Sequence, residues 1–168
     1  MDGKWGAYTM QQALRNNAPL GSIKLLMEAA AIAVDHKGVF LLHLACEFSS
    51  KSVVHYLMGK LDDRSTTLEN INNSNKDTIF HCACRGGNLR VVKHLLECHS
   101  ALVAEASVTM NAQNELPIHL LCQAGKDVKA TLEREANQWG RSAAKYSYTE
   151  TIWLMLLSNP EVVSLDSL

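Results

Sequence analysis

The apolar positions of this chain fall into short helical blocks separated by polar turns. Val53, Val54, Leu57 and Met58 form one block, and Val91, Val92, Leu95 and Leu96 form another with the same spacing. An i, i+1, i+4, i+5 set gathers on one broad face of a helix, so each block predicts an amphipathic helix. A shorter helical pattern precedes each. In the central stretch KDTIFHCACRGGNLRVVKHLLE, Thr78 stands where a helix N-cap is wanted and a short helix runs through Cys84 and Arg85. Gly86-Gly87 then breaks the pattern, and a second helix runs from Leu89 to Leu96. Two helices this short cannot bury their own apolar faces and need neighbours of the same kind.

Those neighbours are present at a fixed spacing. His43, His81 and His119 lie 38 residues apart, and Cys46, Cys84 and Cys122 keep the same phase, each three residues after its histidine. Two residue types holding one register over three copies mark an internal repeat. Asp35, Asn73 and Asn111 stand eight residues before each histidine, where a polar turn begins. Upstream, Met10 to Asn16 followed by Ile23, Leu26 and Met27 form an earlier helix pair without the turn or the histidine, as a terminal capping repeat does.

The copies LLHLACEF, IFHCACRG and PIHLLCQA, with their turns, resemble the ankyrin repeat, which runs D-x-x-G-x-T-P-L-H-x-A over about 33 residues. The second copy has Asp35, Gly38, Leu42, His43 and Ala45 but Phe40 and Leu41 in place of Thr-Pro. The third has Thr78, His81, Ala83 and Gly87, with Lys76 at the turn glycine. The fourth has Pro117, His119 and Gly125, with Asn114 at the turn, a residue that tolerates positive φ where Lys does not. In this pattern Thr caps the first helix, Pro occupies its first turn, and the late Gly ends it in a left-handed turn.

The resemblance implies an all-α solenoid of about four stacked helix-turn-helix repeats forming a single domain. The expected units are residues 8–34 as N-terminal cap, then 35–72, 73–110 and 111–157. Residues 126–147 read as a charged insertion between the two helices of the last repeat, partly helical near Val128 to Ala136, before Ile152, Trp153, Leu156 and Leu157 restore the helical spacing. Such an insertion is either a partner-binding excursion or a variable surface loop. Residues 158–168 form a tail. The residues beyond the usual period fall in residues 59–75 and 98–111, longer connections whose Leu61, Leu68, Ile71, Leu102, Val103 and Val108 are expected along the outer edge of the stack.

The resemblance also implies a function: a non-catalytic protein-recognition module, an adaptor or an accessory subunit of a larger assembly. The family's variable contact positions map onto His36, Lys37, Val39, Glu47 and Phe48 in one copy. In the next they map onto Ser74, Asn75, Asp77, Arg85 and Gly86, and in the last onto Ala112, Gln113, Glu115, Gln123 and Ala124. Phe48 and Arg85 are the expected anchors, since aromatic and Arg side chains dominate binding hot spots. His43, His81 and His119 are expected to bond backbone groups within and between repeats. Cys46, Cys84 and Cys122 stand where the family has Ala and are expected as small core residues, while Cys82, one step out of phase, is expected to be more exposed.

Composition narrows the alternatives. A net charge of −1 over 168 residues, with both signs interspersed, provides no electrostatic footprint for nucleic acid or an anionic membrane. No apolar run approaches the ~20 residues of a membrane span, and the N-terminal MDGKWGAYTMQQ reads as neither a secretory signal nor a transit peptide. Five cysteines without paired spacing indicate reduced thiols in an intracellular compartment, cytoplasm or nucleus, with an organelle left open. The rival reading is a metal- or thiol-dependent enzyme using His81, Cys82, Cys84 and Cys98. Against it, the regular His and Cys positions belong to successive repeats, and helix axes ~8–10 Å apart cannot close on one ion. A pair that recurs in every copy marks architecture rather than a unique nucleophile and base. No cofactor or metal is expected.

Overall fold

A computed structural model of the chain describes residues 3–29, 36–62, 72–134 and 151–152. Within them lie eight helices: α1 Gly3–Arg15, α2 Leu20–Ala29, α3 His36–Phe48, α4 Lys51–Asp62, α5 Ile79–Arg85, α6 Leu89–Cys98, α7 Ser100–Val108 and α8 Pro117–Arg134. The expected all-α repeat solenoid is what they form. Helices α1, α3, α5 and α8 pack side by side as a row of first helices, and α2, α4 and α6 stack behind them as second helices. One apolar cluster runs through both rows, from Met10 and Leu14 through Leu42, Val53, Phe80 and Val91 to Leu121. Phe80 is fully buried at its centre, a side chain whose removal from water contributes about 1.5–3 kcal/mol.

The local chemistry of α5 explains its length of only seven residues. The Thr78 hydroxyl accepts from the His81 amide while the His81 ring accepts from the Thr78 amide, a reciprocal capping box that starts the helix. Gly86 closes it and Gly87, at φ 61°, turns the chain into α6. A β-carbon on Gly86 would fall on the carbonyl oxygen of Glu47, so glycine is what lets the ends of α3 and α5 approach. Asn88 then reaches back, donating from Nδ2 to the Ser49 carbonyl at 2.7 Å and the Cys46 carbonyl at 3.2 Å. Ser49 in turn donates to the Leu14 carbonyl at 3.1 Å, so each inter-helix loop is bonded to the one before it.

Several expectations change. The second copy has no turn in front of its first helix over the described residues, because α3 already begins at His36. Phe40 and Leu41 replace the Thr-Pro pair, so no hydroxyl stands there to start the helix later. Gly125 does not end α8, which continues to Arg134 and carries the helix into the stretch expected as an insertion. A single interior glycine costs a helix only about 1 kcal/mol. The connection after α6 is itself a helix, α7, packed on α5, α6 and α8 rather than running along an edge. Its Leu102, Val103, Ala106 and Ser107 are buried, while Val108 is exposed. The side chain of Leu61 and residues 63–71, including Leu68 and Ile71, lie outside the described residues, as do residues 135–150 and the Trp153, Leu156 and Leu157 positions.

Candidate functional site

The surface in front of the first-helix row is built from two stacked polar turns. In the first, the Asn73 side-chain oxygen accepts from the Asn75 and Asp77 amides at 2.8 and 2.9 Å. In the second, the Asn111 oxygen accepts from the Gln113 and Glu115 amides at 3.0 and 2.9 Å. Each turn closes through a left-handed residue, Lys76 at φ 56° and Asn114 at φ 60°. Lysine thus occupies the conformation that the sequence pattern reserves for glycine. The Ala112 amide donates to the Asn75 carbonyl at 2.8 Å and joins the two tips. Ser74, Asn75, Ala112 and Gln113 are exposed there.

Beneath the tips lies an ion pair whose carboxylate is buried. Arg85 donates to both oxygens of Asp77, at 2.7 and 2.8 Å, and Asn73 and Asn111 each add a hydrogen bond at 3.1 and 3.0 Å. The Asp77 side chain is fully buried, whereas Arg85 remains 32% exposed. Burial alone would raise the Asp77 pKa, but the hydrogen bonds from Arg85, Asn111 and Asn73 outweigh it and hold the carboxyl below its ordinary value. Asp77, expected on the contact surface, therefore lies inside it, because its four hydrogen bonds compensate desolvation only when water is excluded. Arg85 is committed to the same pair, so its guanidinium is a strut of the turn before it is a contact.

The repeated histidines reach from one repeat to the next. His81 Nδ1 accepts from the Thr78 amide at 3.2 Å and takes the Thr78 hydroxyl at 2.8 Å, which leaves the proton on Nε2, bonded to the Glu115 carbonyl at 3.1 Å. His43 Nε2 meets the Asp77 carbonyl at 3.0 Å, 34 residues ahead, as Glu115 is 34 ahead of His81. Burial pushes the His81 pKa down, partly offset by the Glu115 carbonyl and Asp77. His119 repeats the local half of the motif, accepting from the Leu116 amide at 3.0 Å, but its side chain is exposed.

Cys46 and Cys84 are fully buried, as expected of residues in an Ala position. Cys122, expected in the core with them, is instead exposed on α8. Cys82 is buried too, contrary to its expected exposure, because the seven-residue α5 is enclosed on all sides by α3, α6, α7 and α8. Burial, with Asp77 and Glu47 nearby, pushes its thiol up to about 12, and burial raises Cys46 and Cys84 as well. Such thiols stay protonated and are poor nucleophiles. Among the described residues no three His, Cys, Asp or Glu side chains are placed to hold a metal ion, and Cys98 is an exposed thiol.

Toward the C-terminal ends of the first helices the same face opens into a groove of about 550 Å³, lined among others by Asn17, Glu47, Phe48, Lys51, Gly86 and Arg90. Phe48 is 36% exposed at its rim, with the Arg15 guanidinium 5.7 Å from its ring. Glu47 is half-buried, and burial raises its pKa against the opposing pull of Arg85 and Arg15. Arg15, Glu47 and Arg85, one from each successive first helix, alternate in sign along the face. Glu115 is half-buried and Gln123 exposed. His36, Lys37 and Val39 belong to the first turn of α3, and their side chains lie outside the described residues. Asn17, Lys51 and Arg90 were not legible as groove residues, because they stand on loops and second helices outside the motif.

A family model of ankyrin repeats in three copies matches residues 9–107. Comparison with curated proteins and with solved structures gives no significant match. Among the described residues, no helix is long and apolar enough to cross a membrane. The repeat register of His43 and His81, the stacked turns and this match over more than half of the chain agree, and the chain belongs to the ankyrin repeat family, whose members are generally protein–protein interaction modules.

Proposed function

We propose that the chain is a non-catalytic adaptor or accessory subunit of a larger assembly, which holds another protein against the face running from the turn tips to the groove. The observation that carries this reading is Phe48, an exposed aromatic ring at the rim of a groove whose walls are backbone-bonded loops. A rigid frame loses little conformational entropy on binding, and an aromatic anchor supplies contact area with few rotamers to freeze. Ser74, Asn75, Gln113 and Gln123 supply exposed polar contacts around it, with Glu47 and Glu115 half-buried between them. The alternating charges suit a protein surface of mixed charge better than a polyanion such as nucleic acid. Five free thiols fit a reducing intracellular setting.

The test is capture of partners with immobilised protein, comparing the parent chain with Phe48→Ala. The substitution is expected to weaken the captured interaction at least about tenfold, the loss of a hot-spot side chain, with the unfolding midpoint within a degree or two. Undiminished binding would move the contact surface to residues 126–147 or to the outer edge of the stack. The enzymatic alternative finds no support in the buried, protonated Cys82 and Cys84.

A further inference from the structure

On the opposite side of the array three imidazoles gather where α4 packs on α6 and α6 gives way to α7. His94 of α6 stands edge to face with His55 of α4, centroids 5.5 Å apart, and with His99 between α6 and α7 at 5.9 Å. The His94 side chain is 4% exposed, while His55 is exposed and His99 half-exposed, so a single layer of side chains keeps water from it. Both His94 ring nitrogens are buried without a hydrogen-bond partner. Among the described residues no three ligating side chains converge on one point here.

We propose that His55, His94 and His99 form an acid-sensitive latch that holds α6, with α7 packed on it, against α4 while His94 is neutral and releases them when it takes a proton. An imidazolium needs two acceptors, and this pocket presents none to either nitrogen. Of the charged and titratable groups acting on the ring, Lys51 and His55 come from α4 and His99 from the α6–α7 junction, and all three oppose its protonation. Glu97 of α6 itself is the one that favours it, and α5 and α7, also packed on α6, contribute none of these. Burial is the largest influence, and the net effect is to lower the pKa.

The sign follows by linkage. The unfolded or locally opened chain binds the proton more readily than the closed one, so closure weakens as pH falls below the ordinary histidine value of about 6.5. The cheapest way to hydrate the charged ring is to part α6 from α4, and α7 moves with it. Through Thr109 and Met110, α7 leads directly into the turn at Asn111, so its release slackens the bonds of that turn to Asn75 and Asp77.

Hydrogen exchange of the whole chain at pH 7.5 and 5.5, corrected for intrinsic rates, tests this. Amides of α6 and α7 are expected to lose protection several-fold more than those of α3, up to the limit of about tenfold that an ordinary histidine in the opened chain sets between these two pH values. In His94→Leu the acid-induced loss of α6 and α7 in excess of that of α3 should vanish. An equal excess in His94→Leu, or a loss in α6 and α7 no greater than that in α3, overturns the latch. Direct titration of the wild-type His94 ring by NMR stands independent of any variant. A midpoint below the ordinary histidine value of about 6.5 is expected, and one at or above it overturns the proposal.

Discussion

Lys76 carries a cost that its neighbour copy avoids. A side chain with φ near +56° sits in the left-handed region, where a β-carbon crowds the following carbonyl at about 1–2 kcal/mol. Asn114 holds the same turn position at φ 60° with a residue that adopts it more readily. Lys76→Gly should therefore stabilise the protein by about 0.5–1 kcal/mol, the relieved strain less the extra freedom of glycine in the unfolded chain, while Asn114→Gly should gain less. Urea unfolding of the two variants checks the order. The residue pattern made the vacancy of the turn glycine visible, and it made the roles of His43 and His81 visible through their shared register. It concealed Asp77. A carboxylate next to Thr in a polar turn reads as solvated, and only the arrival of Arg85 from the far end of α5 and Asn111 from 34 residues ahead makes its burial tolerable.

At the scale of elements, the contact between the ends of α3 and α5 is set by the missing side chain of Gly86. Gly86→Ala would drive a methyl group into the Glu47 carbonyl, and backbone cannot swing aside as a flexible side chain does. The expected loss is about 1–3 kcal/mol in chemical denaturation, as for other overpacked sites, with Gly59→Ala, whose surroundings are open, as the neutral or stabilising control. Helix pairs with the i, i+1, i+4, i+5 pattern were readable because that pattern is the buried face itself. Helix α7 repeats it in Leu102, Val103, Ala106 and Ser107, but Ala and Ser carry so little hydrophobicity that the segment reads as a connection. The start of α3 and the continuation of α8 through Gly125 were hidden for a different reason. Packing against neighbouring helices outweighs a missing cap or one glycine, and neighbours are not visible in a local pattern.

For the whole molecule the acid side of neutrality is the vulnerable one, in two stages. His81 is pushed below its ordinary pKa, so the unfolded chain binds protons that the folded one refuses, and stability should decline as pH drops through and below about 6.5. Asp77 is also lowered, so the stability its ionised form provides persists further and is lost only as pH falls through the range below ordinary carboxylates. Thermal midpoints at intervals from pH 8 to 3 should show a gradual decline beginning near neutrality and a steeper one at the acid end. In Arg85→Ala the acid-end step should shrink, because Asp77 then has no cation to hold it ionised.

The bonds from His43 to the Asp77 carbonyl and from His81 to the Glu115 carbonyl both run from an earlier repeat to a later one. That gives the stack a direction in time as well as in space. During synthesis each of these histidines emerges 34 residues before its acceptor, a wait of roughly 2–7 seconds at ribosomal speeds of about 5–20 residues per second. A repeat just made is therefore incomplete until the next one arrives. The array is expected to consolidate stepwise behind the ribosome, each new turn locking the histidine of the repeat before it.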